Sequence, residues 1–191
     1  MHIVLVLAHP DPESLNHAAA RSAFEALEQA GHEVAVHDLY AERFDPRLTG
    51  SEIHQHRSDD PLVEAHATEL AGADGLVVVH PVWFDHVPAI LKGWVDRVVR
   101  EGTAYERRHD GGFRGLTKLR SALLVTTANA PDQPDPGDGT DHFWRDWVLP
   151  TCGVTRVERV HLSPVVGSTL ATRRSWLEAV AERAEATFGR A

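Results

Sequence analysis

The sequence is poor in cysteine and has no long apolar run. Its single cysteine, Cys152, excludes an internal disulfide and is typical of a reducing compartment, so we expect a cytoplasmic protein. No apolar stretch approaches the roughly 20 residues that cross a bilayer, and the amino terminus lacks the basic segment of a secretion signal. We therefore expect no insertion into a membrane.

Positive charge is also scarce. The 191 residues have a net charge of −9, which argues against nucleic acid or an anionic membrane surface as the main partner. The sequence lacks both the Gly-x-Gly-x-x-Gly motif of dinucleotide sites and the lysine of a P-loop. Thirteen histidines invite a metal site. The closest pair, His54 and His56, lies in a polar segment without cysteine or clustered carboxylates, so we predict no metal.

Segments of strand and helix character alternate along the chain, and a hydrophobic content of 42% suits a single domain over residues 1–191. Strands are predicted over residues 2–8, 33–39, 75–80, 119–127 and 154–162, and helices over residues 16–30, 61–73, 87–100, 142–149 and 171–188. Residues 40–60, 102–115 and 130–141 are predicted to be surface loops. The alternation predicts a parallel sheet of five strands in the order 2-1-3-4-5, within a three-layer α/β/α sandwich.

Residues 75–105 are the most informative segment of the sequence. A short apolar strand is followed by an aromatic loop at residues 81–86 and by a helix with Pro88 near its start. A loop between the carboxyl end of a parallel strand and a helix is where open α/β sheets bind ligands. Trp83 and Phe84 in this loop suggest a wall for a flat ring. The alternative is that both are ordinary, partly buried core aromatics.

Two other loops of the same kind are predicted at the same edge of the sheet. After strand 1, Ser14 or Asn16 would lie at a helix amino terminus, whose free N–H groups favour an anion. The alternative is that Ser14 only caps the helix. After strand 4, Thr126, Thr127 and the next two residues offer hydroxyl, amide and backbone N–H groups, although threonine is also common at strand ends. Together the three loops suit a flavin mononucleotide moiety.

Three motifs give the chain a resemblance to a known family. They are Ala8-His9-Pro10 with Ser14-Leu15-Asn16, then Pro81 with Trp83-Phe84, residues 87–94 and Ala104-Tyr105, and finally Thr126-Thr127. In these motifs the sequence resembles the flavodoxin-like NAD(P)H:quinone oxidoreductases, the group that contains DT-diaphorase, modulator of drug activity B and the potassium-efflux ancillary reductases. The resemblance implies a flavodoxin-like fold and a flavin, FMN or FAD, with one flavin in each subunit.

The resemblance also implies roles for individual residues. Those expected to bind the flavin are His9, Ser14, Leu15, Asn16, Pro81, Val82, Trp83, Phe84, Thr126, Thr127, Ala128 and Asn129. The family loop often reads Thr-Thr-Gly-Gly, whereas Ala128 and Asn129 replace the glycines here. Some members place a tyrosine and a histidine over the flavin. Residues 130–141 contain no tyrosine, so His142 is the one expected catalytic residue, as a proton donor.

The implied activity is a two-electron, ping-pong reduction of quinones or similar flat acceptors, with NAD(P)H as co-substrate. Relatives are dimers with the flavin at the subunit boundary, so a homodimer is expected. One alternative is a flavin-binding regulatory subunit of a cation-efflux transporter. A one-electron carrier is the weaker alternative, because residues 40–60 and 130–141 resemble the walls of a substrate pocket. No role is predicted for His17. Asp96, Arg97 and Arg100 are expected on a solvated or subunit-facing stripe, and Cys152 in the interior.

Overall fold

The computed structural model describes residues 1–129 and 139–190. In chain order its elements are β1 (His2–Leu7), α1 (Leu15–Gln29), β2 (Glu33–Asp38), α2 (Gly50–Gln55), α3 (Pro61–Gly72), β3 (Gly75–Pro81), α4 (Ala89–Val98), β4 (Tyr105–Arg107), β5 (Phe113–Gly115), β6 (Ser121–Thr127), α5 (Gly139–Asp141), a π-helix (His142–Val148), α6 (Leu149–Cys152), β7 (Arg156–Leu162) and α7 (Leu170–Phe188).

Five parallel strands form the central sheet in the order β2-β1-β3-β6-β7. Because β4 and β5 lie outside this sheet, β6 and β7 are its fourth and fifth strands along the chain, and the predicted order is confirmed. All seven residues of β3 are buried, as expected for a central strand covered on both faces.

The sheet is covered by helices on both faces. Alternate residues of β1 point to opposite sides, so Ile3 and Leu5 pack with α1 and α7, whereas Val4 and Val6 pack with α3, α4 and the π-helix. Two separate apolar cores result, and the second includes the fully buried indoles of Trp94 and Trp144. The predicted three-layer sandwich is therefore confirmed.

Residues 40–60 and 102–115 lie mostly at the surface, as predicted, but they also contain short elements and buried residues that were not predicted. Phe44 is buried in the core, and Thr49 and Glu52 form a capping box that begins α2. Residues 102–115 contain the antiparallel hairpin β4–β5, with Tyr105 paired to Gly115. Strands of three residues and a helix of six are too short to show a clear periodicity. Residues 130–138 lie outside the described part of the chain.

The prediction of a solvated stripe was wrong for Arg97 and Arg100, whereas Asp96 is exposed as predicted. Arg97 is 5% exposed and Arg100 9% exposed. Residues 45–60 fold over this helix, and a Cβ atom at Gly93 would collide with Pro46, so glycine permits the close approach. Arg97 and Arg100 were predicted to be exposed because residues 45–60, which fold over this helix, show no apolar periodicity in the sequence.

Cys152 lies in the interior, as predicted, and is 2% exposed. Burial raises the pKa of its thiol to about 12, so the reactive thiolate is absent at neutral pH. We expect a disulfide reagent to leave the native protein unlabelled and to label one thiol per chain in concentrated guanidinium chloride. Absorbance of the released thiolate measures both reactions. Stoichiometric labelling of the native protein would contradict the buried position.

Candidate functional site

The loops after β1, β3 and β6 meet at the carboxyl edge of the sheet, where open α/β sheets bind their ligands. Hydrogen bonds hold these strand ends in register. The Ala8 N–H donates to the Val79 carbonyl at 3.0 Å, and the Val82 N–H donates to the Thr127 carbonyl at 2.7 Å. The three loops that were predicted to share one crevice therefore do lie side by side.

Asn16 joins the first of these loops to the third. It is 2% exposed, and its amide Nδ2 donates to the Thr127 hydroxyl at 2.9 Å. Its other polar atom, Oδ1, is buried and has no hydrogen-bond partner among the described residues. A buried acceptor without a donor is costly, because it has lost its hydration without compensation. The site thus holds an acceptor that fits a ligand hydroxyl.

Ser14 caps α1, as one of the two interpretations of this residue predicted. Its Oγ accepts a hydrogen bond from the His17 backbone N–H at 3.3 Å. The same Oγ lies 2.9 Å from His17 Nδ1, and His17 Nε2 lies 3.1 Å from a carboxylate oxygen of Asp38. A cap does not exclude an anion site, because the remaining first-turn amides of α1 are not bonded within the helix.

The chain Ser14–His17–Asp38 is the part of the site that sequence reasoning missed. The position of Asp38 could have revealed it. Asp38 lies at the carboxyl end of β2, and the predicted sheet order places β2 next to β1. His9 lies close by, with ring centroids 6.4 Å from His17 and 6.1 Å from Trp83. Partial burial lowers the pKa of His9, and the His17 ring adds to this, although a hydrogen bond with Asp11 opposes it.

The aromatic loop is a tight two-residue turn. Trp83 and His86 exchange both backbone hydrogen bonds, at 3.0 and 3.1 Å. The two central residues, Phe84 and Asp85, have φ values of 51° and 61°, which are costly for side chains other than glycine. Phe84 is fully exposed and Trp83 is 42% exposed. The alternative of a partly buried core aromatic is thereby excluded for Phe84, and an exposed, strained phenylalanine indicates a binding surface.

The third loop uses several of its side chains internally. The Thr126 hydroxyl lies 2.7 Å from His161 Nδ1 and accepts from Arg159 at 3.2 Å. The Ala128 N–H donates to the Leu162 carbonyl, and Asn129 Oδ1 accepts from the Val166 N–H at 3.1 Å. Of the four residues predicted here, Thr127 is therefore the one whose side chain meets the first loop.

His142 begins the π-helix and is largely exposed. Its Nε2 accepts from the Trp147 indole at 3.0 Å, and its Nδ1 lies 2.7 Å from a carboxylate oxygen of Asp146. Because the indole is only a donor, the Nδ1 atom carries the hydrogen and donates it to Asp146. The next residue, Phe143, contacts His86 of the aromatic loop with a centroid distance of 5.4 Å. His142 thus lies beside the crevice, with both ring nitrogens engaged.

A second cluster of titratable groups surrounds His37 of β2. His37 lies between two carboxylates, with Nδ1 3.0 Å from Glu42 and Nε2 2.7 Å from Glu69. Burial alone lowers the pKa of His37, but the hydrogen bonds and charges of Glu42 and Glu69 outweigh it and raise the pKa above its usual value. Burial likewise works to raise the pKa of Glu42, but contacts with the two imidazoles hold it at about 2.

The same cluster brings His37, Glu42 and His66 close enough to suggest a metal site. However, the Trp94 indole donates to His66 Nδ1 at 3.0 Å. The neutral His66 ring therefore carries its hydrogen on Nε2, which faces Glu42 at 3.3 Å. In this tautomer Nε2 has no lone pair for a metal ion. Nε2 and Glu42 Oε2 are buried and in close contact, but neither makes a hydrogen bond among the described residues.

The His37 cluster makes stability depend on pH. A group whose pKa is raised by folding stabilises the protein fully below its unfolded value and loses that contribution as pH rises through the folded one. We expect the free energy of unfolding to fall as the pH rises from about 6.5 through the raised pKa of His37, and to fall less in His37→Gln. Urea titrations across this range measure both slopes. Equal slopes in the two proteins would show that His37 is not the group responsible.

Among the described residues, no helix is both long and apolar enough to span a bilayer.

Comparisons with known proteins agree with this geometry. A family model described by the flavodoxin-like fold matches residues 1–187. Ribosyldihydronicotinamide dehydrogenase (quinone) of Mus musculus is 30% identical over 169 residues, which cover 78% of this chain and 72% of that protein. Across the first curated relatives that it matches, the chain spans from 53% to 72% of their length.

Two solved structures are similar over almost their whole length. Smu.1420 from Streptococcus mutans UA159 has a TM-score of 0.86 and 30% identity, and the match covers 97% of this chain and 100% of that one. NAD(P)H:quinone oxidoreductase from Methanothermobacter marburgensis has a TM-score of 0.82 and 25% identity, with coverage of 96% and 94%.

Proposed function

Because the chain belongs to the family that is described by the flavodoxin-like fold, we propose that it is a flavin-dependent NAD(P)H oxidoreductase which reduces quinones or similar flat acceptors. The observation that carries this proposal is the buried, unpartnered Oδ1 of Asn16. It lies where the loops after β1 and β6 meet, and the exposed aromatic loop adjoins them. The site thereby combines an anion-binding helix start, a buried acceptor and an aromatic surface.

The residues present fit a flavin. A ribityl hydroxyl is a donor and would satisfy Asn16 Oδ1, while the first-turn amides of α1 and the Ser14 hydroxyl would hold the phosphate. Trp83 and Phe84 would flank the ring system. FMN and FAD share all of these groups, so the proposal covers both. When bound, the flavin supplies the redox chemistry, taking a hydride from NAD(P)H and giving two electrons to the acceptor.

The protein's own part is to position the reactants. The tight turn at Trp83–His86 holds the aromatic surface in place before any ligand arrives, so little ordering accompanies stacking. Asp85 ties this turn to the start of α5, because its Oδ2 accepts from the Gly139 N–H at 3.0 Å. His142 stays the proposed proton donor, although its Nδ1 hydrogen is engaged by Asp146 and would have to be released.

The test of the function is a pair of spectroscopic assays on the purified protein. Mass spectrometry of the released yellow cofactor identifies FMN or FAD. Bleaching of the bound flavin by NADH or NADPH, followed by reoxidation with menadione, then reports both halves of the cycle. A flavin-loaded protein that neither nicotinamide reduces would contradict the proposal. A His142→Gln variant with unchanged turnover would remove His142 from the mechanism.

Replacing Phe84 by glycine separates binding from stability. Glycine adopts the positive φ without cost, so we expect the melting temperature to stay the same or to rise. Loss of the aromatic surface should raise the KM for menadione by about threefold to tenfold, which corresponds to one aromatic contact. Phe113, which is 45% exposed on the hairpin β4–β5, gives the matched control Phe113→Gly, with an unchanged KM. Equal KM values for Phe84→Gly and the unmodified protein would show that Phe84 does not meet the acceptor.

We also propose that the active form is a homodimer with the site at the subunit boundary. Phe84 of the aromatic loop is fully exposed, and Trp147 of the π-helix, which contacts His142, is 58% exposed. Large exposed apolar side chains of this kind are found at interaction sites. Light scattering during size-exclusion chromatography gives the mass directly, and a monomer at assay concentration that is fully active would contradict the dimer.

A further inference from the structure

We propose that Ser14, His17 and Asp38 form a proton-linked switch, in which binding of the flavin phosphate drives uptake of one proton by His17. This inference rests on the proposed function, because the phosphate is that of the flavin. It goes further by assigning a positioning role to His17 and Asp38 and by making cofactor affinity depend on pH.

Asp38 determines where the first hydrogen of His17 sits. One oxygen of this carboxylate accepts the backbone N–H groups of Tyr40 and Ala41, both at 3.1 Å. The other oxygen lies 3.1 Å from His17 Nε2. Backbone donors stabilise the ionised form of a carboxyl group, so Asp38 is an acceptor on both sides. Nε2 must therefore carry a hydrogen, whatever the state of the other nitrogen.

The state of the other nitrogen, Nδ1, decides the direction of the Ser14 hydroxyl. In the neutral ring Nδ1 is an acceptor, and the hydroxyl donates its single hydrogen to it across 2.9 Å. Ser14 then offers only lone pairs to an incoming anion. In the protonated ring Nδ1 donates to Ser14 Oγ, which leaves the hydroxyl hydrogen for the phosphate. A phosphate and a proton on His17 thus favour each other, and the coupling is reciprocal.

No other side chain of this region supplies the charge. Residues 9–17 contain no lysine or arginine. The titratable groups facing His17 are Asp38 from β2, His9 with its neighbour Asp11 from the loop after β1, and Glu13 beside the cap. Partial burial lowers the pKa of His9. We assign the proton to His17 because its ring lies between two polar partners, with Nε2 3.1 Å from a carboxylate oxygen of Asp38 and Nδ1 2.9 Å from Ser14 Oγ.

A second and independent feature points to a ligand at this place. The Oδ1 atom of Asn16, one residue before His17, is buried without a partner among the described residues. The residue itself is 2% exposed and is held by Thr127. The start of α1 thus contains both an acceptor for a hydroxyl and a switchable donor for an anion, which are the two groups that a ribityl phosphate presents.

Isothermal titration calorimetry of the flavin-free protein tests the switch, with FMN and riboflavin as the two ligands. Titrations run between about pH 7 and pH 8.5, where the phosphate of FMN is already a dianion and its own ionisation contributes little. Repeating each titration in two buffers of different ionisation enthalpy gives the number of protons taken up. We expect net uptake with FMN, none with riboflavin, and an FMN Kd that rises with pH, by up to about 30-fold over this range for one full proton.

The variants His17→Gln and Asp38→Asn remove the switch in two ways. Glutamine keeps a polar side chain but does not titrate, and asparagine can still accept the Tyr40 and Ala41 amides. We expect FMN binding to lose its proton uptake and most of its pH dependence in both variants, with riboflavin affinity unchanged. Circular dichroism and thermal melting establish that the variants are folded.

The outcomes separate the two levels of the proposal. FMN binding without proton uptake, or with the same uptake in His17→Gln, would overturn the switch and leave the flavin site intact. Riboflavin binding with the same proton uptake would also overturn it, because riboflavin has no phosphate. A protein that binds neither FMN nor riboflavin, and does not bind FAD either, would overturn the proposed function itself and the switch with it.

Discussion

Replacing Arg97 by alanine is expected to lower the free energy of unfolding by about 3–5 kcal/mol, the cost of leaving one partner of a buried ion pair alone. The Arg97 guanidinium donates to Glu52 at 2.8 and 3.1 Å and to the Asp45 carbonyl at 2.6 Å. Both side chains of the ion pair are almost fully buried. Without Arg97 the Glu52 carboxylate keeps its burial and loses its counter-charge.

The pKa of Glu52 supports this expectation. Burial alone would raise it, but hydrogen bonds from Arg97, Ser58 and Thr49 hold it at about 2. The arginine also ties residues 45–60 to α4, so its removal should loosen the segment that packs against Gly93. Urea denaturation measures the loss, and proteolysis within residues 45–60 reports the loosening.

Arg47 provides the matched control. It makes a comparable ion pair with Asp45 at 2.8 Å, but its side chain is 85% exposed. Exposed pairs contribute about 0–1 kcal/mol, so Arg47→Ala should change stability little. A loss below about 1 kcal/mol in Arg97→Ala as well would mean that the covering segment does not depend on this ion pair.

Replacing Asn16 by leucine is expected to weaken flavin binding by about 30-fold to 100-fold. The change removes the acceptor for the ligand and the donor for Thr127 while keeping a side chain of similar volume. A ligand hydroxyl that is buried without its acceptor in a dry site costs roughly 2–3 kcal/mol of binding free energy, whereas loss of the hydrogen bond to Thr127 acts on stability. Because Oδ1 is unsatisfied in the free protein, stability itself should fall little or even rise. Flavin fluorescence quenching gives the Kd, and thermal melting of the flavin-free protein gives the stability.

Ser22→Ala on the same helix is the control for this variant. The Ser22 hydroxyl donates to the Leu177 carbonyl at 2.7 Å, between α1 and α7 and away from the crevice. Its loss should cost about 1 kcal/mol of stability and leave the flavin Kd unchanged. If Asn16→Leu bound flavin as tightly as Ser22→Ala, the unpartnered oxygen would have no part in cofactor binding.

The sequence predicted the sheet well because its central strands are unambiguous. Residues 76–79 are an uninterrupted apolar run that only a doubly covered strand explains, and the order of the strands follows from their alternation with helices. The three loops of the site were found for the same reason, since a parallel sheet brings its carboxyl ends to one edge. The local sequence pattern was therefore sufficient to predict a residue's position wherever a single helix or strand determined that position.

Prediction failed where two distant segments decide a position together. Arg97 has the sequence environment of an exposed helical residue, and its burial depends on residues 45–60 folding over it. His17 received no role because its partner, Asp38, lies 21 positions away on a neighbouring strand. Pairings of this kind leave no periodic signal in a single sequence. The π-helix was read as an ordinary helix because both conformations favour the same residues.

The turn at Trp83–His86 has a further consequence for the timing of the cycle. Its two strained residues take their conformation when the protein folds, and Asp85 is anchored to Gly139 from the start. In a ping-pong scheme two different ligands must exchange at one surface in every cycle. A surface already ordered imposes no waiting time between the departure of one ligand and the arrival of the next. Diffusion and release of the ligands would then limit the rate of exchange. We expect this rate to depend mainly on solvent viscosity, and little on a temperature-driven opening of the loop.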